Sequence, residues 1–270
     1  MNYRKIEIIF LLAFLLLNGY LLLTLYEDKK EATVDQVETS QEIQHILKRE
    51  DITVETSLNG KKETGYYLCG TRVDLKKETR DLKGQSINGD ANGVTSDLKQ
   101  NKVIHLKKKY LSQMNQFLTE KDNIYKGRDY RYFKEMSSKS TLVYTTYYKG
   151  IPIEDSSAQI EFYIDHNIIS RYHQSCVSPI EEMRDEQELI SDKEALYTLY
   201  MNNKISSGDK IRYVRLIYTK SYEWNNKVIY VPTWVVAIDN QTQRKVLERV
   251  NAMTNRLMMT PGQENQQNND

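Results

Sequence analysis

The sequence predicts an α+β fold, with an N-terminal transmembrane helix followed by two modules that each combine a helix with an antiparallel sheet. Three observations predict this class. The densest apolar sequence is a single run near the start of the 270-residue chain. Two later segments place apolar residues at three- and four-residue steps, as one face of a helix requires. Runs with alternating apolar and polar residues follow both segments, separated by turns rich in Gly, Asn and Asp.

The apolar run extends from Ile8 to Leu25 and predicts a membrane anchor. A helix of about 18 to 20 residues, at about 1.5 Å per residue, spans the roughly 30 Å hydrocarbon core of a bilayer. The run ends in LYEDKKEA, without the small-residue cleavage pattern of a signal peptide, so we expect an uncleaved anchor. Arg4 and Lys5 precede the run, and two lysines follow it less closely. The positive-inside rule then predicts a single-pass cell-membrane protein with a cytoplasmic N-terminus and an extracellular C-terminal domain.

One stripe of this helix is a candidate contact face with another transmembrane helix. Its members recur at alternating four- and three-residue steps: Glu7, Leu11, Phe14, Asn18, Leu21 and Leu25. Such spacing forms a helix–helix seam, in which Asn18 supplies a hydrogen-bonding group and Gly19 permits close approach. The alternative is that one Asn and one Gly are tolerated in an otherwise apolar single span. Because polar groups inside a membrane are costly, we expect a helix partner.

Four segments follow from these patterns. Residues 1–26 form the cytoplasmic stub and transmembrane anchor, residues 27–180 a membrane-proximal α+β module, residues 181–258 a C-terminal α+β module, and residues 259–270 a polar, disordered tail. In the first module we expect helices at Val34–Arg49 and Val103–Thr119, joined through an exposed connection at Lys76–Asn101. The strands expected there are Ile52–Thr56, Tyr66–Leu75, Asp129–Met136, Leu142–Tyr148, Ala158–Ile164 and Ile168–Cys176.

The C-terminal module repeats this plan. An acidic stretch, Glu181–Glu188, is expected to be a solvated linker. Ser191 and Glu194 then match a capping box that opens a helix. The strands expected after that helix are Ile211–Tyr222, Val228–Ile238 and Lys245–Asn251. Pro232 suits the edge of its strand or a bulge, because proline cannot donate a backbone hydrogen bond.

Composition and motifs exclude several function classes. The formal net charge of +1 argues against a nucleic-acid binder. The sequence holds no G-x-S-x-G, H-E-x-x-H or Walker A motif. We therefore predict that the protein is not an enzyme and has no catalytic, cofactor-binding or metal-binding residues. Twenty Tyr beside five Phe fit half-buried sheet surfaces, where an aromatic ring with a polar end is favoured.

The isolated polar motifs have simple structural explanations. The loop Asn88–Gly93 partly matches a calcium-binding loop, but Asn88 and Lys99 stand where that loop requires carboxylates, so we expect a hairpin tip. His166 and His173 are seven positions apart and would lie on opposite faces of a regular strand. Cys69 and Cys176 leave two interpretations open: a disulfide in an oxidising compartment, or two small residues on half-apolar strands.

Several stretches together resemble one family. The opening YRKIEIIFLLAFLLLN, the segments YYKGIPIEDSSAQIEFYIDHNIISRYHQ and LISDKEALYTLY, and YVPTWVVAID followed by RVNAMTN are similar to the YycI (WalI) proteins of Gram-positive bacteria. The resemblance covers residues 1–25 and about 140–255 well, and 30–130 in outline. The C-terminal part also resembles PepSY-type modules. Asn255 departs from the family pattern, which has Gly in that turn, but Asn tolerates positive φ.

This resemblance implies a regulatory role. YycI-like proteins are non-catalytic, membrane-anchored accessory proteins of a two-component system that controls cell-wall metabolism. Their partners are an essential sensor histidine kinase (WalK, also YycG) and a companion regulator (YycH), contacted through transmembrane and extracytoplasmic segments. No cofactor or nucleic acid is implied. The alternative is an extracytoplasmic PepSY-like module that binds a ligand or inhibits a protease.

Overall fold

The computed structural model describes residues 10–22, 41–89 and 92–258. These residues form a mixed α+β fold with more strand than helix, which confirms the α+β class. The apolar run is helical at residues 10–22 (α1), and the rest of Ile8–Leu25 lies outside the described residues. Within the described ranges, no helix is both long and apolar enough to cross a membrane.

Four further helices and the strands follow along the chain. The helices are 41–49 (α2), Leu75–Glu78 (α3), Tyr110–Thr119 (α4) and Asp192–Met201 (α5). The strands before Asp155 are β1 Thr53–Val54, β2 Thr64–Gly65, β3 Leu68–Arg72, β4 Gln85–Gly89, β5 Val94–Leu98, β6 Ile104–His105, β7 Tyr130–Tyr132, β8 Thr141–Tyr148 and β9 Ile151–Glu154. The later strands are β10 Gln159–Asp165, β11 Ile168–Gln174, β12 Val177–Glu182, β13 Gln187–Glu188, β14 Lys210–Trp224, β15 Lys227–Asp239, β16 Lys245–Asn251 and β17 Arg256–Met258.

Most of the strands join in one continuous sheet, whose main path has the order β12-β3-β15-β14-β9-β8-β10-β11-β5-β4, and β2 pairs with β13 in a separate two-stranded sheet. The long hairpin β14–β15 lies between β3 and β9, and so has strands from the expected membrane-proximal module on both sides. The β9–β14 pairing is parallel, with Ile153 opposite Tyr218. Backbone pairing therefore runs across residue 180, and the division into two modules there stays a prediction.

Pro232 shows how a central strand accommodates proline. Strand β15 pairs with β3 along Lys227–Tyr230 and with β16 along Thr233–Asp239. Pro232 lies between these two stretches, where the neighbouring strand changes. Its carbonyl accepts a hydrogen bond from the Ala252 amide at 2.9 Å. The N–H that proline lacks would therefore point to a place where backbone pairing on that side of β15 is already interrupted. No sequence pattern indicates this change of neighbouring strand.

Three predicted segments differ from the structure, two of them only in part. The expected exposed connection Lys76–Asn101 contains most of α3 and the hairpin β4–β5, with Val94, Ser96 and Leu98 buried. The helix predicted from Val103 begins only at Tyr110, because Ile104 pairs with Ile169 in the sheet. The acidic segment Glu181–Glu188 is exposed throughout, as expected of a solvated stretch, but it is not simply a linker, because it contributes to β12 and β13, whose backbones pair with β3 and β2. In each case backbone pairing with a distant strand outweighs the local polar or helical pattern.

Two apolar cores lie against the sheet. One combines α2 and α5 with β14–β16, and its buried members include Ile43, Leu196 and Val236. The other lies between α4 and strands β8, β10 and β11, around Met114 and Phe162. Ser191 and Glu194 form the predicted capping box at the start of α5. Asn255 adopts a φ of 55°, as expected for a residue that replaces Gly in a turn.

Many tyrosines are structural. Tyr144, Tyr172, Tyr218 and Tyr230 are among the largest fully buried side chains of the described residues. Two buried hydroxyls bind backbone carbonyls: the Tyr172 hydroxyl donates to Asn123 O at 3.0 Å, and that of Tyr130 to Ser175 O at 2.7 Å. Tyrosine thus fills the sheet interfaces and ties neighbouring loops to them.

Candidate functional site

The predicted helix contact face is only partly within the described residues. Leu11, Phe14, Asn18 and Leu21 belong to α1, whereas Glu7 and Leu25 lie outside the described ranges. Phe14 and Leu21 expose 64% and 49% of their surface. The Asn18 amide donates from Nδ2 to Phe14 O at 2.9 Å, one turn back along its own helix. The face is therefore exposed where it is described, and contact with a second helix stays a prediction.

The other polar motifs build no metal site. His173 Nδ1 lies 3.1 Å from Thr95 Oγ1, and His166 Nδ1 lies 2.7 Å from Asp165 Oδ1. Residues 88–89 and 94–95 pair as a hairpin, and the tip residues 90–91 lie outside the described residues. Among the described residues, no three His, Cys, Asp or Glu side chains group closely enough to hold a metal.

The two cysteines are free thiols, so the disulfide interpretation is not the one observed. Cys176 is buried beside Leu75 and Val94, and that burial raises the pKa of its thiol. A buried, protonated thiol is a small apolar side chain without nucleophilic character. Cys69 is half-buried on β3.

A cavity of about 450 Å³ lies beside the hairpin β14–β15, where β9, β14, β16 and β17 approach each other. We call it the central cavity. The residues that line it include Met136, Glu154, Gln159, Lys220, Arg249 and Met258. Arg249 is on β16 and Glu154 ends β9, so the two sides of the cavity come from opposite sides of residue 180.

A buried ion pair forms one wall of the central cavity. Arg249 Nη2 donates to Glu154 Oε1 at 2.8 Å, with 6% and 16% of the two side chains exposed. Burial raises the pKa of Glu154, and the nearby Arg249 charge opposes this shift. Three buried polar atoms of the wall have no hydrogen-bond partner among the described residues: Arg249 Nη1, Glu154 Oε2 and Gln159 Oε1. Buried polar groups are usually paired, so this clustering is unusual.

A second ion pair lies behind the first. Arg215 binds Glu135 beside a smaller cavity of about 130 Å³, which Glu154 and Met136 also line. Burial raises the pKa of the neighbouring Tyr213 to about 12. Two carboxylates and two guanidinium groups therefore lie in one partly buried region as two ion pairs, where opposite charges compensate each other.

A charged network connects the central cavity to the end of the hairpin. Asp155 Oδ2 accepts a hydrogen bond from the buried Tyr230 hydroxyl at 2.8 Å. Lys220 Nζ lies 3.6 Å from Asp155 Oδ1 and 3.2 Å from Glu223 Oε2. Glu223 also binds Arg72 of β3, with Arg72 Nη2 donating to Oε2 at 2.9 Å.

The end of the β14–β15 hairpin displays two aromatic side chains. Tyr222 and Trp224 expose 62% and 66% of their surface. They lie two residues apart on a strand and therefore share one face, opposite to Glu223. The Arg72 amide donates to Asn226 O at 2.8 Å, which fixes the turn to β3. We call Tyr222 and Trp224, together with the turn at residues 225–226, the hairpin tip.

No local sequence pattern indicates the central cavity or the hairpin tip. Arg249 and Glu154 are far apart in sequence, and although both lie in stretches that resemble the YycI family, IPIED and RVNAMTN, nothing in either stretch indicates that the two residues pair. Trp224 lies in EWNN, between the predicted strands Ile211–Tyr222 and Val228–Ile238, and that position in a turn is a sequence signal of an exposed aromatic residue. Neither place resembles a catalytic arrangement of nucleophile and base.

Comparison with known proteins gives one strong match. The model of the family described as "YycI protein" matches residues 30–253. No curated protein matches the chain. A crystal structure of an uncharacterized protein from Eubacterium rectale aligns with a TM-score of 0.47 and 11% identity, over 77% of this chain and 91% of that one. A similarity at this level carries no argument about fold or function.

Proposed function

Because this chain belongs to the YycI family, we propose that it is a membrane-anchored accessory protein that regulates a sensor histidine kinase of the WalK (YycG) type. The family is regulatory and non-catalytic, and its members are accessory to the YycG/WalK system. The match over residues 30–253 is the observation that carries the proposal. The partners we propose are the kinase and a YycH-like companion regulator, at the extracytoplasmic side of the cell membrane.

The proposed anchor is the apolar run Ile8–Leu25, and the proposed kinase contact within the membrane is the stripe through Leu11, Phe14, Asn18 and Leu21. The helical backbone and exposed apolar side chains of residues 10–22 support this. Because Asn18 bonds to its own helix, its amide need not be satisfied by a partner. The contact would then rest mainly on packing of the large apolar side chains.

The proposed extracytoplasmic contact with the kinase is the hairpin tip. Exposed Tyr and Trp residues are enriched among the side chains that dominate protein interfaces. The ion pair between Arg72 and Glu223 and the bond from the Arg72 amide to Asn226 hold the turn in place. A tip that is already ordered loses little conformational entropy on binding.

Regulation requires more than binding. An accessory protein shifts a kinase between two arrangements only if it binds them with different affinity. A tenfold difference in affinity shifts that equilibrium by about 1.4 kcal/mol. Two separated contacts, one in the membrane and one outside it, can form together only when the two kinase segments are suitably positioned. The affinity for the kinase would therefore depend on its arrangement.

The test of the membrane contact replaces residues 6–25 with an unrelated apolar helix of equal length. The matched control carries the same replacement but retains Glu7, Leu11, Phe14, Asn18, Leu21 and Leu25. We expect the full replacement to lose crosslinking to the kinase in native membranes and to change target-gene output, and the control to retain both. Unchanged crosslinking and output in the full replacement would show that this helix has no sequence-specific role.

A second candidate function is a ligand-binding module outside the membrane. One observation favours it, namely the central cavity with its three unpartnered buried polar atoms. Purified full-length chain that binds small molecules in this cavity would support it. This function is compatible with kinase regulation but does not depend on it.

A further inference from the structure

A cavity of about 340 Å³ lies between two strands at edges of the sheet. Among the described strands, β7 pairs only with β8, and β12 ends the main path of the sheet beside β3. Residues 128–131 line one side of the cavity, and residues 177, 178 and 180 line the other. We call this space the edge cavity. Its volume falls within the usual range of small-molecule sites, about 300–1,000 Å³.

Two arginines of this lining are open to a ligand. Arg128 and Arg131 are both exposed, and the arginine ion pairs of the described residues involve neither of them. The Arg131 guanidinium carbon lies over the Tyr147 ring, 5.4 Å from its centre. Because this cation–π contact does not use the N–H groups, the forked donors of Arg131 stay available to a ligand.

Lys126 adds a third positive charge beside the edge cavity. Its Nζ donates to Ser178 Oγ at 2.8 Å, and Ser178 lines the cavity. Asp129 is the one acidic residue of the lining. Three cations and one carboxylate leave a formal charge of +2, so the edge cavity favours an anion.

The placement of the donors favours a phosphate group over a carboxylate. Arg128 precedes β7 and Arg131 lies on it, whereas the Lys126 ammonium lies against Ser178 of β12. The donors therefore approach from both sides of the cavity. A phosphate group offers three acceptor oxygens that point in different directions, and a carboxylate offers two in one plane. A phosphate monoester carries a charge of about −1.5 to −2 at pH 7, which the local charge balances.

The rest of the lining has room for an organic substituent. Tyr147 and Ile180 are half-buried and line the edge cavity from β8 and β12. A free phosphate ion would leave most of the volume unfilled. An organic group attached to the phosphate can cover these two side chains and remove apolar surface from water.

From these properties we propose that the edge cavity binds a small phosphate monoester. The phosphoryl oxygens accept hydrogen bonds from Arg128, Arg131 and Lys126, and the organic substituent lies against Tyr147 and Ile180. The site is separate from the contacts proposed for the kinase and does not rest on them.

The test is isothermal titration calorimetry of the full-length chain in a maltoside detergent, which contains no phosphate. The probes are glycerol 3-phosphate, inorganic phosphate and sodium acetate. We expect glycerol 3-phosphate to bind with a dissociation constant of about 1 mM or tighter, and inorganic phosphate at least about tenfold more weakly. No binding of glycerol 3-phosphate overturns the proposal. Equal binding of inorganic phosphate or of acetate also overturns it, because the site would then select neither an ester nor a phosphate.

Variants locate the binding. Arg128→Gln and Arg131→Gln each remove a charged donor and should weaken binding of glycerol 3-phosphate at least about tenfold. Arg131→Lys keeps the charge but loses the fork, so its loss should be smaller than that of Arg131→Gln. Arg184→Gln is the matched control, because Arg184 is exposed, lies over the Tyr67 ring at 5.7 Å and does not line the edge cavity.

The replaced arginines are exposed, so the unfolding midpoint of each variant should stay close to that of the parent chain. Unchanged binding in both Arg128→Gln and Arg131→Gln would place the ligand elsewhere and overturn the proposal. The same loss in Arg184→Gln would also overturn it, since the effect would then follow the total charge and not the edge cavity.

Discussion

Arg249 and Glu154 form an ion pair at 2.8 Å that joins β16 to the end of β9. The pair links strands from opposite sides of residue 180, the expected boundary between modules. Because both side chains are largely buried, neither charge has water as an alternative partner. Loss of either partner should therefore destabilise the fold, and the same pair forms one wall of the central cavity.

Replacing Arg249 with Met should lower the free energy of unfolding by about 3–5 kcal/mol, because Glu154 is left buried without its cation. Urea denaturation of the full-length chain, followed by tryptophan fluorescence, measures this change. The double variant Arg249→Met/Glu154→Met removes both charges and should recover most of the loss. A double variant as unstable as the single one would show that packing, and not the unpaired charge, is responsible.

The loss in Arg249→Met should depend on pH. Burial already raises the pKa of Glu154 in the folded protein, and removal of Arg249 takes away the opposing effect. The folded protein then binds this proton more tightly than the unfolded chain does, so its stability falls as pH rises from the unfolded pKa of about 4.3 through the raised folded value. We expect a smaller loss at about pH 5 than at about pH 8. An equal loss at both values would contradict the assignment to Glu154.

Replacing Ser191 with Ala should destabilise the protein by about 1 kcal/mol. Ser191 Oγ accepts from the Glu194 amide at 3.2 Å, and the Ser191 amide donates to Glu194 Oε2 at 2.7 Å. The substitution removes the first bond and loosens the start of α5. Thermal unfolding measures the change, with the exposed Ser170→Ala as control. The same shift in both variants would contradict a specific capping role.

Replacing Gly70 with Ala should cost about 1–3 kcal/mol by overpacking. A Cβ atom at Gly70 would lie 2.1 Å from Val177 Cγ1, where β3 faces β12. Adding Val177→Ala removes that atom, so the double variant should be less destabilised than the sum of the two single variants. Denaturation of all three variants gives this coupling energy. Simple additivity would mean that the contact does not limit packing there.

Replacing both Tyr222 and Trp224 with Ala should weaken association with the kinase by at least about 30-fold, which corresponds to the roughly 2 kcal/mol that one such aromatic side chain can contribute to an interface. Crosslinking to the kinase in native membranes measures the effect. Both side chains are exposed, so the unfolding midpoint should change little. Undiminished crosslinking to the kinase would remove the hairpin tip from the proposed interface.

Local patterns predicted the local features of this fold. The capping box at Ser191, the core strands β8, β10 and β11 and the long hairpin β14–β15 each have a strong alternating or capping signal. The hairpin β4–β5 was missed because its residues are mostly polar, and only pairing with β11 shows that Ser96 is buried. The ion pair of Arg249 with Glu154 has no local signal at all, because it exists only after distant strands come together. A candidate site built from such pairs of distant residues cannot be predicted from the local patterns of a single sequence.

The pairing of β3 with β15 also constrains the order in which the protein can fold. Leu68 lies opposite Tyr230, and Gly70 opposite Val228. Because the chain is synthesised from its N-terminus, β3 is made long before β15. Strand β3 therefore lacks its β15 neighbour through most of synthesis. Contacts this distant in sequence form slowly and leave strand edges open to wrong partners. The nascent protein therefore carries an unpaired edge at β3 until its last strands have been made.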